Sequence, residues 1–152
     1  MSRARRTPKS AQSAQSARPS RPALSPAGPC PCGLLAAYGD CCARLHRGDL
    51  AASSAEQLMR SRFSAFAARD EAYLLRSWHP DTRPPAVDFD PRLSWVGLEI
   101  LATTEGGPFH EAGTVEFRAH YREGGRDGVM QENSRFLRHE GAWVYVDALT
   151  LS

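Results

Sequence analysis

Val115-Glu116-Phe117-Arg118-Ala119-His120-Tyr121-Arg122 alternates apolar and polar residues without a break. Successive side chains of a β-strand point to opposite faces, so this period of two puts Val115, Phe117, Ala119 and Tyr121 against a core. Glu116, Arg118, His120 and Arg122 are left on a face for solvent or for a second copy of the chain. Runs of the same kind lie on either side, separated by turn residues. Leu93 to Thr103 ends at Gly106-Gly107-Pro108, and the central run, Thr114 to Glu123, ends at Gly124-Gly125 and Asp127-Gly128. Val129 to Arg138 ends at His139-Glu140-Gly141, and Ala142 to Leu151 closes the set. Links this short favour antiparallel neighbours.

In the third run Phe136 is a core residue, and the period of two then turns Ser134 and Glu132 inward beside it. Upstream, the spacing reads as helix. Ser53 and Glu56 have the offset of a capping box, and Ala55, Leu58, Met59, Phe63, Phe66 and Ala67 define one buried stripe running to about Ala68. Arg62 lies inside that stripe, either with its head in water along the helix edge or as a partnered buried charge. A second short helix is expected from Asp70, as its cap, to Trp78, where His79-Pro80 stops it. Prolines at 80, 84, 85 and 91 make the following segment a loop. Helices followed by an antiparallel meander define an α+β domain with the sheet wrapped around the helices.

Such a cone encloses a pocket, for which the pattern nominates Arg62, Trp78, His79, Glu132, Ser134 and Tyr145. Glu132, His79 and Arg62 are the candidates for catalysis, with a hydrogen-bonded structural role as the alternative for His79. Arg62 and Glu132, on facing elements, are expected to meet as an ion pair.

All four cysteines fall at Cys30, Cys32, Cys41 and Cys42. Four thiolates match the closed tetrahedral set of a structural zinc site and leave no open position for catalysis. The alternatives are disulfides or free thiols; adjacent cysteines bridge each other poorly, and no secretory signal implies an oxidising compartment. A reducing, cytoplasmic setting is therefore expected.

The chain of 152 residues has room for one ordinary domain plus small attachments, and no apolar run approaches the ~20 residues of a membrane span. Six of its nineteen bases and none of its seventeen acids precede residue 30, so thirteen bases face seventeen acids in the body, which is negative by four. Residues 1–29, rich in Ser, Ala, Pro and Arg, read as a disordered basic tail. An electrostatic arm for nucleic acid and an organelle transit peptide are the other readings of that segment.

The cysteine spacing, Cys-x-Cys, eight residues, Cys-Cys, resembles the SEC-C motif, which in the tail of the SecA translocase motor binds zinc and serves protein contact. Residues Ala55 to Phe66, Trp78 to Arg83, Ser134-Arg135-Phe136 and Trp143 to Asp147 resemble the bacterial YchJ family over about residues 30 to 150. That resemblance implies a nuclear transport factor 2-like, or cystatin-like, cone over 49–152 behind a SEC-C zinc knuckle at 30–48. The sequence departs from the family pattern in two places. The lysines usual between the cysteine pairs are absent, and Gln131 stands where the family often has a histidine before the glutamate of Glu-x-Ser-x-Phe.

Two functions of different class fit these residues. One is a non-catalytic zinc module contacting a protein through the knuckle or a small ligand in the cone. The other is an enzyme on a small molecule with Glu132 as acid or base. Nucleic acid is expected only through the basic tail, a homodimer only through the outer sheet face, and no membrane span is expected.

Overall fold

The computed structural model describes residues 24–151, so most of the expected tail lies outside the described residues. A 3-10 turn at Tyr38–Asp40 leads into α1 (Cys42–His46), α2 (Ala55–Ala68) and α3 (Glu71–Arg76). Four strands follow, β1 (Leu93–Glu105), β2 (Ala112–Glu123), β3 (Arg126–His139) and β4 (Ala142–Leu151). Each is antiparallel to the next in one sheet of order β1-β2-β3-β4. No helix among the described residues is long and apolar enough to cross a membrane.

The start of α2 lies one residue beyond the expected cap. Ser54, not Ser53, is the N-cap, accepting from the Gln57 amide at 3.1 Å, while Gln57 Oε1 accepts from the Ser53 amide at 2.7 Å. Gln57 thus reaches back past the cap to Ser53, a variant of the capping box, and Glu56 pairs with Arg60 at 3.0 Å instead. Asp70 caps α3 as expected, accepting from the Tyr73 amide at 3.1 Å.

That helix ends at Arg76, short of Trp78, because the chain there turns extended and joins the sheet. The Tyr145 amide donates to Ser77 O at 2.9 Å and the His79 amide to Tyr145 O at 2.8 Å, a parallel bridge between Trp78 and Tyr145.

The inner sheet face follows the alternation. Val115, Phe117 and Ala119 of β2, Phe136 of β3 and Trp143 of β4 pack with Ala55, Leu58, Met59 and Phe63 of α2. Each such fully buried large side chain contributes about 1.5–3 kcal/mol. Register shifts in β1 between Trp95 and Gly97 and between Ile100 and Ala102, and two more where β3 meets β4, bend the strands around α2.

The single buried stripe expected for α2 is incomplete. Ser61, Ser64, Ala65 and Ala68 are buried as well, because α1 and α3 cover the side of the helix away from the sheet through Leu45, Tyr73 and Leu74.

Candidate functional site

The cysteines are held by a knuckle that starts before residue 30. The Tyr38 amide donates to Gly28 O at 2.8 Å and the Cys30 amide to Ala36 O at 3.0 Å, with Pro29 and Ala37 bridged. Gly33 makes the turn after the first cysteine pair with φ of 92°, a left-handed value that glycine takes without cost. A Cβ there would also approach Leu98 O of β1 to 3.3 Å. Cys41 and Cys42 sit at the entry to α1. All four thiols are buried and free, with their sulfurs within 4.8 Å of one another and Cys32 and Cys41 at 3.6 Å.

The thiols are unequal. Hydrogen bonds from Cys32 and Cys42 hold Cys30 well below the usual thiol range. The bond to Cys30, with burial, pushes Cys32 up to about 12, and Cys42 is pushed up for the same reasons. One thiolate is stabilised by its neighbours, but a second in the same dry space needs a cation. Four sulfurs so arranged could hold a metal ion.

The knuckle docks on α2. Arg60 Nη1 donates to Cys32 O at 2.6 Å, and Cys30 Sγ lies 3.5 Å from Ser64 Oγ. His46 Nε2 lies 2.9 Å from Ser61 O, which can only accept, so the Nδ1 of the neutral ring takes the hydrogen of Tyr38 Oη at 2.6 Å. Burial lowers the pKa of His46. Arg76 Nη2 closes the far side on His46 O at 2.6 Å. Leu34 and Leu35, between the cysteine pairs, are exposed.

On the opposite side of α2 lies a cavity of about 270 Å³, walled by Met59, Phe63, Phe66, Trp95, Phe117, Ala119 and Met130. Of the nominated residues, Arg62, Trp78, Glu132, Ser134 and Tyr145 line it; His79 does not. The bridge to β4 explains the difference: with Trp78 turned inward, its neighbour in an extended segment turns outward. His79 packs instead on His139, ring centroids 5.0 Å apart, and its Nδ1 accepts from the Asp81 amide at 3.1 Å.

The expected Arg62–Glu132 ion pair is not formed. Arg62, only 3% exposed, donates through Nη1 to Leu74 O at 2.9 Å and to Ser77 Oγ at 2.7 Å. Its guanidinium carbon lies 4.7 Å from the ring centroids of both Trp78 and Tyr145, which meet edge to face. Burial brings its pKa down to about 10, so it stays charged at neutral pH. Glu132 Oε2 accepts from Ser134 Oγ at 2.5 Å and from Tyr145 Oη at 3.1 Å. Burial and the Glu132 charge push Tyr145 well above the usual phenol range, which keeps it a donor.

Sequence reasoning missed Arg60, His46, Ser61 and Ser64 as supports of the knuckle, and Trp95 and Met130 as cavity wall. Two serines three apart on one helix, beside an arginine, were the available sign of a second buried helix face. A tryptophan aligned by the β1 period was the sign for the wall.

The YchJ middle NTF2-like domain matches residues 54–148. A UPF0225 protein of Streptomyces avermitilis is 64% identical over 118 residues, covering 78% of this chain and 81% of its own length. A UPF0225 protein of Corynebacterium glutamicum is 50% identical over 116 residues, 76% and 92% of the two chains. Among solved structures, a SEC-C motif containing protein from Rhodopseudomonas palustris has a TM-score of 0.70 at 31% identity, covering 82% of this chain and 100% of its own. Another from Psychrobacter arcticus has a TM-score of 0.65 at 26% identity, with 82% of both chains covered. With an α+β cone of this topology behind a four-cysteine knuckle, the chain belongs to the YchJ-type, UPF0225 family.

Proposed function

We propose that the protein is a zinc-stabilised, non-catalytic binding module whose cone takes a small, mainly apolar ligand. The observation that carries this reading is that Arg62 and Glu132 stand unpaired around an open cavity of about 270 Å³ instead of closing it as an ion pair. A filled core would have no use for two charged groups at that depth, since burying each is costly. Binding is preferred over acid–base catalysis because His79 lies outside the cavity and Glu132 Oε2 is engaged by Ser134 and Tyr145.

Zinc is the metal that suits the donor set. Four thiolates at about 2.3 Å from a tetrahedral Zn²⁺ lie about 3.8 Å from one another, close to the 3.6 Å between Cys32 and Cys41. With every position taken by protein, such a site is structural. Protein purified under reducing, chelator-free conditions is expected to carry one zinc per chain and to lose most of it in Cys41→Ser. Metal-free protein from that preparation would remove zinc from the proposal.

The cavity is tested by titrating toluene and following the indole N–H resonances of Trp78 and Trp95 by NMR. Saturable shifts confined to the cavity wall are expected, and Ala119→Trp, which fills the space, should abolish them. No response to millimolar toluene or to a polar benzene derivative of the same size would overturn the ligand-binding reading.

A further inference from the structure

The two polar walls of the cavity are opposite in kind. Arg62 has five N–H donors, of which only those of Nη1 are used, on Leu74 O and Ser77 Oγ; Nε and Nη2 have no acceptor among the described residues. The Trp78 indole Nε1 is also without an acceptor among the described residues, but it is sealed from the cavity, so Arg62 supplies the donors of this wall. This wall presents hydrogens that the protein leaves unpaired.

Glu132, whose partner Tyr145 is also the ring on which Arg62 stacks, spends one oxygen, Oε2, on both Ser134 and Tyr145. Its Oε1 accepts from no group among the described residues, and an ionised carboxylate can only accept. Between the walls the surface is aromatic and thioether.

A ligand with a plain anionic head meets Arg62 well but is repelled by Glu132; a plain cation has the reverse difficulty. A neutral head with an acceptor next to a donor satisfies both. The cavity holds the volume of about nine liquid waters at ~30 Å³ each, room for one ring and a small head.

Resting on the binding reading above, we infer that the ligand class is an apolar ring bearing an amide-like edge, its carbonyl oxygen toward Arg62 and its N–H toward Glu132.

Four probes that share a phenyl ring separate the claims in a calorimetric or NMR titration at pH 7: toluene, benzamide, benzoate and benzylamine. Benzamide is expected to bind at least tenfold more tightly than toluene, with benzoate and benzylamine no better than toluene. In Glu132→Gln an oxygen remains for Ser134 and Tyr145 while an NH₂ group replaces the cavity acceptor, so benzoate should gain on benzamide by about tenfold.

Benzamide within twofold of toluene, or tightest binding by either ion, overturns the inference while leaving a ligand-binding cavity. Toluene and benzamide both failing to bind overturns the cavity reading together with it. Should Glu132→Gln not fold, the ranking on the wild-type protein decides alone; should it fold and keep the wild-type ranking, Glu132 is not the acceptor and the inference fails.

Discussion

Arg62 is a cation held by one carbonyl, one hydroxyl and two ring faces, with no carboxylate in contact among the described residues. Hydrogen bonds from a charged group contribute about 1.5–3 kcal/mol and a desolvated cation–π contact about 2 kcal/mol, against the burial penalty that lowers its pKa. Arg62→Ala is therefore expected to cost roughly 2–4 kcal/mol, read from urea unfolding. In double-mutant cycles Glu132→Ala should couple more strongly to Tyr145→Phe, a direct hydrogen bond, than to Arg62→Ala; the reverse order would show that the charges pair in solution.

Tyr145 also carries a pH signature. Its folded pKa is raised, so its contribution is fully present below the unfolded value of about 10 and is lost as pH rises above it. Stability should fall above pH 10, and less steeply in Tyr145→Phe. At this scale the period of two located Glu132 and Ser134 and the helical period located Arg62, because periodicity specifies a face. It failed for His79, whose orientation depends on a bridge to a strand 66 residues later, which no local pattern encodes.

α2 is the element that joins the two sites, one side bearing Met59, Arg62, Phe63 and Phe66 in the cavity and the other bearing Arg60, Ser61 and Ser64 under the knuckle. Arg60 fixes the backbone carbonyl of Cys32, and if the cluster holds zinc as proposed, an outer group of this kind is worth about 10–100-fold in metal affinity. Arg60→Ala should lose its metal to a competing chelator at least tenfold more readily, with the sheet's amide spectrum unchanged.

His46 sets the acid limit of the same junction. Its folded pKa is lowered, so its contribution is present above the unfolded value of about 6.5 and is lost as pH falls below it. Wild type should lose stability between pH 6.5 and 5 where His46→Gln loses less; parallel pH profiles for the two would contradict this. The cysteine cluster was legible in sequence because its four cysteines are neighbours in the chain. The docking was not, because Cys32 O, Ser61 O and His46 O are backbone acceptors that any residue supplies.

For the molecule as a whole, the knuckle and the cone are successive in the chain and meet at α2. The contacts on α2 argue for a graded dependence. Chelation is expected to release protection from hydrogen exchange across residues 28–47 and to lower Tm by several degrees, at roughly 2–8 °C per kcal/mol, while amides of β2 and β3 stay protected. Cooperative loss of the entire sheet on chelation would make the metal a condition of the fold.

The α+β class was legible because every strand is bounded by turn residues and pairs with the next one in sequence. The bulges that curve the sheet were not, since they follow from its wrapping around α2. The meander also sets an order of assembly. The cavity residues of β1, β2 and β3 belong to hairpins with short loop closures, but the wall made by Trp78 and Tyr145 waits for β4 to return to the end of α3. A nascent chain can therefore pair its first three strands before it has a place for a guest. Ligand should slow the unfolding limb of a chevron and leave the folding limb where it was, so that occupancy lengthens the lifetime of the finished protein without hastening its birth.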